Sequence, residues 1–208
     1  HTRFRNVTGV QTCALPIFTI LSIISFKYSL QHRIEILQND STNRYQKTIE
    51  TLHSLGYIDV LRIYVLDVLT FDAQCSTEQL QAILTTLYNS SNYQLFINAP
   101  FMPNEFTWAM EIGLLPTVED VVGKEVHKKI LQQLQKSEIS NMQTDFERCS
   151  VQSSKMVLLD GFLSMGQVQT ISEQFANDSI HTTRIKNRTA YRNSNGFNNS
   201  ISLTNLSK

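Results

Sequence analysis

Residues 76–88 constrain the fold more than any other stretch of this 208-residue chain. Ser76-Thr77-Glu78-Gln79 spells a capping box, in which a serine hydroxyl accepts the backbone N–H three residues on and the glutamine reaches back to the serine's own N–H. Leu80, Ile83, Leu84, Leu87 and Tyr88 follow at i, i+3, i+4, i+7 and i+8, one apolar stripe at helical period. A second stretch repeats the theme. Thr117 stands as its cap, and Glu119 and Asp120 fall in a first turn, where the helix dipole favours acids. Val118, Val122, Val126, Ile130 and Leu134 then form a row, with Val121 and Leu131 beside it and Lys128, Lys129 and Lys136 toward the C-terminal half.

Shorter helices are expected around these two. Tyr45–Leu55 ends at Gly56, a natural residue just past a helix. Ile58–Leu69 is apolar nearly all round and reads as a buried helix, with a strand as the second choice. Glu105–Gly113 carries Trp108, the only tryptophan; Lys155–Met165 ends at Gly166; Val168–Ala176 would be a short last helix. Pro100, Pro103 and Pro116 fall between these segments, where proline belongs. The expected fold class is therefore all-α, an irregular helical bundle or a helical-hairpin solenoid over residues 18–176. No repeat at a fixed period stands out in the sequence. Phe18–Phe26 is apolar but too short to span a membrane, for which about 20 residues are needed. It opens an 18–42 segment read as a strand, a core helix or the remnant of a cut membrane span.

The first 17 residues are read apart. Val7-Thr-Gly-Val-Gln-Thr-Cys-Ala-Leu-Pro-Ile17 resembles the in-frame translation of the constant part of a short-read sequencing adapter. His1-Thr2-Arg3 matches the adapter's upstream part, and Phe4-Arg5-Asn6 fills the place of its variable index. Such a scar is excluded from fold reasoning, and the natural chain is expected to be truncated before Phe18. The exclusion changes the arithmetic. Eighteen Lys+Arg against 18 Asp+Glu become 16 against 18, divided between an acidic body (18–176) and a basic tail (177–208). The tail is rich in Asn and Ser, poor in large apolar residues, and carries Arg184, Lys186, Arg188, Arg192 and Lys208 against Asp178; it is expected to be disordered. Near-neutral charge argues against an electrostatic nucleic-acid binder.

Motifs that carry chemistry are scarce. His32, His53, His127 and His181 are scattered without metal-ligand spacing, so no metal and no cofactor is expected. His127 is placed on a solvated helix face and His53 at a helix boundary. Cys75 and Cys149 remain once Cys13 is set aside. They can be two thiols, one long-range disulfide, or a nucleophile without a visible partner. Gly161-Phe-Leu-Ser-Met-Gly166 has bulky residues where a phosphate loop needs open backbone, and no lysine follows, so both glycines read as packing positions between helices. Lys124, Lys128 and Lys129 are interleaved with Glu119, Asp120 and Glu125 and read as a solvated face. Asn39, Asn89, Asn177, Asn187, Asn198 and Asn205 each begin a glycosylation sequon; most lie in the Asn- and Ser-rich tail, which leaves the cytoplasm ahead of the secretory pathway.

Met156-Val-Leu-Leu-Asp-Gly-Phe-Leu-Ser-Met-Gly166-Gln-Val-Gln-Thr-Ile171 and Leu114-Leu-Pro-Thr-Val-Glu119 resemble phrases of the vitellogenin-type large lipid transfer proteins. The resemblance implies a helical layer that supports a lipid cavity and holds no catalytic residue. The residues themselves point to a non-catalytic helical scaffold or protein-interaction region of a larger protein, with a protein partner. A lipid-transfer region, an enzyme fragment lacking its active site and a truncated membrane protein are the other readings. Deleting residues 1–17 is expected to leave the thermal unfolding midpoint within a few degrees of the parent chain, as followed by circular dichroism; a larger fall would make these residues part of the fold.

Overall fold

The computed structural model describes residues 30–39, 42–73, 75–136 and 146–197. The adapter-like stretch, Phe18–Phe26, Asn198 and Asn205 lie outside them. Among the described residues, six strands form one sheet: β1 (Leu30–Gln38), β2 (Val60–Ala73), β3 (Tyr93–Ile97), β4 (Trp108–Leu114), β5 (Ser150–Gly161) and β6 (His181–Asn187). Five helices join or follow them: α1 (Thr42–Ser54), α2 (Thr77–Leu87), α3 (Val121–Lys136), α4 (Met165–Ser172) and α5 (Arg188–Asn193). Every strand pair is antiparallel, in the order β3-β1-β2-β5-β4-β6.

This is an α/β fold, and the all-α, helical-repeat expectation is overturned. Three segments expected as helices lie in β2, β4 and β5. The physical reason is burial on both faces. A strand covered on one side reads as alternation, but the middle of β2 and β5 is covered on both, so its apolar residues run on without period. The β-branched content of β2 (Val60, Ile63, Val65, Val68, Thr70) is the signal that separates it from a helix. Leu80, Ile83 and Leu84 do sit buried in α2 behind the Ser76–Gln79 capping box. Helix α3 starts later than expected: Asp120, not Thr117, accepts the Gly123 N–H at 2.7 Å, and Val121 and Val122 are exposed.

Helices α1 to α4 cover one face of the sheet. Ile34, Ile36, Leu69 and Phe71 pack with α2 and with Val126, Ile130 and Leu134 of α3. Ile63, Met110, Val157 and Leu159 pack with Leu52 of α1 and with Val168 and Ile171 of α4. The other face carries Leu66, Val68, Ala109, Met156 and Leu158 beneath Phe106, Tyr191 of α5 and Phe197. The expected disordered tail is thus corrected over its described part. Residues 181–187 pair with β4, and Tyr191 and Phe197 are buried. A tail with few apolar side chains stays ordered here because its strand is held through the backbone and its two aromatics fall where the sheet needs cover.

The topology repeats. β1-α1-β2-α2-β3 and β4-α3-β5-α4-β6 are two βαβαβ units with the same internal strand order, joined back to back through β2 and β5 about a pseudo-two-fold axis. Residue chemistry follows the same relation, at a constant offset of 88 residues (164 minus 76). Ser164 and Gln167 rebuild at α4 the capping box that Ser76 and Gln79 form at α2. Asn89 and Asn177 each accept a backbone N–H two residues on, at 3.0 Å. In the first strands the offset is 76 (110 minus 34): Ile34 faces Leu69 and Ile97, while Met110 faces Val157 and Ile185. A ring nitrogen of His32 bonds the Cys75 carbonyl at 2.9 Å, and the Trp108 indole N–H bonds the Leu163 carbonyl at 2.9 Å. The repeat hides from the sequence because few side chains coincide while pairing and turn chemistry do.

Gly161 ends β5 with φ +146, and a Cβ there would fall on the Asp59 carbonyl oxygen; Gly166 has nothing within 4 Å of its would-be Cβ. The close approach at Gly161 is strand to backbone rather than helix to helix. Gly161→Ala is expected to cost roughly 3 kcal/mol or more, and Gly166→Ala to stabilise by about 0.5 kcal/mol, both read from urea denaturation midpoints.

Candidate functional site

The alternation of β1 sends His32, Ile34 and Ile36 toward the helices and Arg33 and Glu35 to the opposite face. β4 sends Glu111 to that same face, β5 sends Ser154 and Met156, and β6 sends Arg184 and Lys186. Arg33 lies across β2 and β5. Its Nε donates to Glu35 Oε1 at 3.0 Å, and its Nη1 donates to Glu111 Oε1 at 2.7 Å. Arg184 Nη2 donates to Glu111 Oε2, Ser154 Oγ donates to Glu111 Oε1 at 2.8 Å, and the Phe101 backbone N–H donates to Glu35 Oε2 at 2.6 Å. All four carboxylate oxygens therefore hold a donor, in a site where Glu35 and Glu111 are buried.

The C-terminal cap is tied to this cluster. Lys186 Nζ donates to Ser194 Oγ and to the Gly196 carbonyl, both at 2.7 Å. The Arg184 and Lys186 cations lie 5.1 and 4.9 Å from the Phe197 ring centroid. Burial pushes the Glu35 carboxyl above its ordinary value, against the pull of Arg33 and the Phe101 N–H. Burial opposes the Arg33 cation too, but Glu111 and Glu35 outweigh it and hold its pKa up. Burial, with the neighbouring Arg184, lowers Lys186. A general acid or base needs an oxygen that can reach substrate. Here the oxygens are engaged by the protein, and the arrangement works as a clamp joining β1, β4, β6 and the cap. Its sequence trace is a charge inside an apolar alternation, Arg33-Ile34-Glu35 and Met110-Glu111-Ile112, which sequence reasoning passed over by reading the second as helix and the first only as part of an 18–42 segment with a strand among its readings.

The sequence candidates do not converge on it. Cys75 and Cys149 are thiols buried in the core shared by α2 and α3; burial pushes Cys149 up to about 11, with Cys75 and Asp72 adding to it. His32 is buried, and its Nδ1 faces the Asn98 amide nitrogen at 3.0 Å. Because the Cys75 carbonyl only accepts, His32 carries its proton on Nε2. His53 bonds the Val60 carbonyl at 2.8 Å, and His127, half-buried rather than solvated, bonds that of Phe146 at 2.6 Å. Lys124 and Lys129 are exposed and pair with Glu119 and Glu125. Asn39 donates its side-chain amide to the Ser90 and Ser91 carbonyls, Asn89 and Asn177 are held in their turns, and Asn187 caps α5.

A different region stands out by what it exposes. At the end of the sheet where β2 begins and β5 finishes, Leu55, Ile58, Leu61 and Phe162 are bare, Phe162 to 85%. The register brings them together, since Val60 faces Gly161 and the pairing is irregular at Leu61. Leu61 also lines a cleft of about 400 Å³ with Leu37, Tyr45, Ile49, Ile63 and Tyr64, edged by Gln38, Gln46 and Gln94. Soluble proteins seldom leave large apolar side chains clustered in water unless something docks on them.

Among the described residues, no group of three or more His, Cys, Asp or Glu is placed to hold a metal ion, and no helix is long and apolar enough to cross a membrane. No protein-family profile and no curated protein matches the chain. Glu111→Ala leaves Arg33 buried without its strongest partner and is expected to cost roughly 3–5 kcal/mol. Arg184→Met, at a partly exposed position, is expected to cost about 1 kcal/mol or less. Equilibrium urea unfolding of both variants checks the ordering.

Proposed function

We propose that this chain is a non-catalytic protein-interaction module. The observation that carries the reading is the bare apolar end formed by Leu55, Ile58, Leu61 and Phe162, with the cleft at Leu61 opening beside it. The buried charges support it from the other side. They saturate one another and hold the fold, so the surface that remains for function is the apolar one. A protein surface is the matching class of partner, because interface cores are built from large apolar and aromatic side chains in pockets of this kind.

A photo-reactive benzoylphenylalanine at position 162, in an extract of the cells that make the protein, is expected to give discrete protein adducts. The same residue at Lys128, on the solvated face of α3, is expected to give none, and Ile58→Asp is expected to abolish those at 162. Equal labelling from both positions, or no protein adduct at 162, would remove the support for an interaction role at this end.

A further inference from the structure

We infer that a second copy of this chain docks along β3, edge to edge and antiparallel, to make one continuous sheet about a two-fold axis. β3 and β6 are the two edges of the six-stranded sheet, and among the described residues no strand lies outside either. Their chemistry differs. At the 88-residue offset (184 minus 96), Tyr93, Leu95 and Phe96 of β3 stand where β6 has His181, Thr183 and Arg184. Charged side chains on an edge strand discourage further pairing, and β6 carries Arg184 and Lys186. β3 has no such protection. From Gln79 to Asn104 the chain has no charged side chain, although charged residues make up 17% of the whole.

The backbone of β3 is open as well. In an antiparallel ladder alternate residues exchange both backbone bonds with one neighbouring strand, while those between them face the other way. The Asn98 N–H donates to the Arg33 carbonyl at 2.7 Å, and the Asn39 N–H donates to the Asn92 carbonyl at 2.8 Å. In step with these, Gln94 and Phe96 bond β1, and Tyr93, Leu95 and Ile97 direct their N–H and C=O groups outward. The Asn89 carbonyl takes the Tyr93 N–H at 3.0 Å, and Asn98, left-handed at φ 55, ends the strand. The edge that remains fits itself. In the register that overlays the whole of β3, Leu95 lies opposite Leu95 and the two exchange both bonds. Each Ile97 N–H then meets the other copy's Tyr93 carbonyl, and Tyr93 sits beside the other copy's Ile97, an aromatic against a β-branched side chain. Helix α2 shares a core with Leu95 and Ile97, and its exposed Gln81, Ala82, Thr85 and Thr86 are uncharged, so a second copy meets no like charge there. This edge has no charge to select a foreign strand, whereas a two-fold axis supplies the reciprocal match without one. Pairing through β6 would set Arg184 and Lys186 against themselves.

The test is sedimentation velocity of the full chain from micromolar to hundreds of micromolar protein, over which a monomer is expected to give way to a dimer. Gln94 is exposed and lies next to the axis. Gln94→Lys and Gln94→Glu should each weaken the dimer by roughly tenfold or more, and mixing the two variants should recover it, because the opposite charges then meet diagonally across the edge. A local defect in the strand would not be rescued by mixing. Gln152→Lys, exposed on β5 away from both edges, and Phe162→Ser, at the bare apolar end, should leave association unchanged. Hydrogen exchange followed by mass spectrometry should show the Leu95 and Ile97 amides slowing as the protein concentration rises. A chain that stays monomeric over the whole range overturns the inference. A dimer abolished by Phe162→Ser overturns it too, by placing the contact at the bare end, as does one that neither Gln94 variant weakens. Slow exchange of the two amides in the monomer would show the edge covered by the chain's own residues and overturn it equally.

Discussion

The antiparallel seam between β2 and β5 joins Val60 to Gly161 at one end and Asp72 to Ser150 at the other, and every other element takes its position from it. Each βαβαβ unit on its own would present one long apolar strand edge, a row of unpaired backbone donors and acceptors that invites aggregation. Placed back to back, the two edges satisfy one another, and Leu66, Val68, Met156 and Leu158 become central residues buried from both sides. The helical face then divides into two cores across the axis. Each is completed by helices from both units, α2 with α3 and α1 with α4, so neither unit's core closes without the other. That division explains how a chain of modest hydrophobic content can bury both faces of a six-stranded sheet.

The opposite face solves a problem that the pseudo-symmetry creates. The 76-residue offset relating the first strands brings Glu35 and Glu111 to equivalent places, so two carboxylates share one buried surface. Arg33, whose counterpart is Ala109, breaks the equivalence and bonds both. Arg184, whose counterpart is Phe96, takes the remaining oxygen of Glu111. Buried ion pairs add little net stability, because desolvating the charges offsets most of their attraction. Their effect is on specificity. Only the native register puts Arg33 within reach of Glu111 across two intervening strands, and only with β6 in place does Arg184 complete the set. The cap of α5 and Phe197 then closes over cations that would otherwise be stranded beneath apolar side chains.

How much of this was legible in the sequence depended on where each residue's partners lie. Helix α2 is local: its cap, its stripe and its buried face are all within residues 76–88, and the structure places them as the sequence says. Helix α1 and its stop at Gly56 are local in the same way. The strands are not. Val157-Leu158-Leu159 carries no period because both its neighbours' faces are covered, and what covers them (Tyr191 and Phe106 on one side, α4 on the other) is remote in sequence. Composition misjudged the tail for a related reason. Arg184 and Lys186 look like solvated charges until Glu111 and the Gly196 carbonyl are brought to them. The repeat escaped notice because it is written in register, in capping boxes and in asparagine turns, features that tolerate almost any residue between their fixed points. Ser164-Met-Gly-Gln167 repeats the box at Ser76 and could have disclosed it.

Two copies of one unit also give an internal standard that a single domain lacks. Where both units bury a position, packing explains the residue. Where both expose it, solvent does. The informative positions are those where the units disagree, because the fold they share cannot account for the difference. Most disagreements here resolve within the molecule: Arg33 against Ala109 and Phe96 against Arg184 complete the clamp, and α5 is the cap's own addition. Before the irregularity at Leu61 the offset becomes 89 (149 minus 60), and the units agree again: Val60 and Cys149 are buried, and each donates its backbone N–H to the carbonyl of an aromatic residue three before it, Tyr57 and Phe146. What has no counterpart is the residue inserted at the irregularity. Leu61 is exposed, and leaving such a side chain in water forgoes burial worth about 25 cal/mol for each Å² of apolar surface. The fold the two units share does not impose that insertion, and the surface it leaves open is the part of the molecule whose explanation must come from outside the chain.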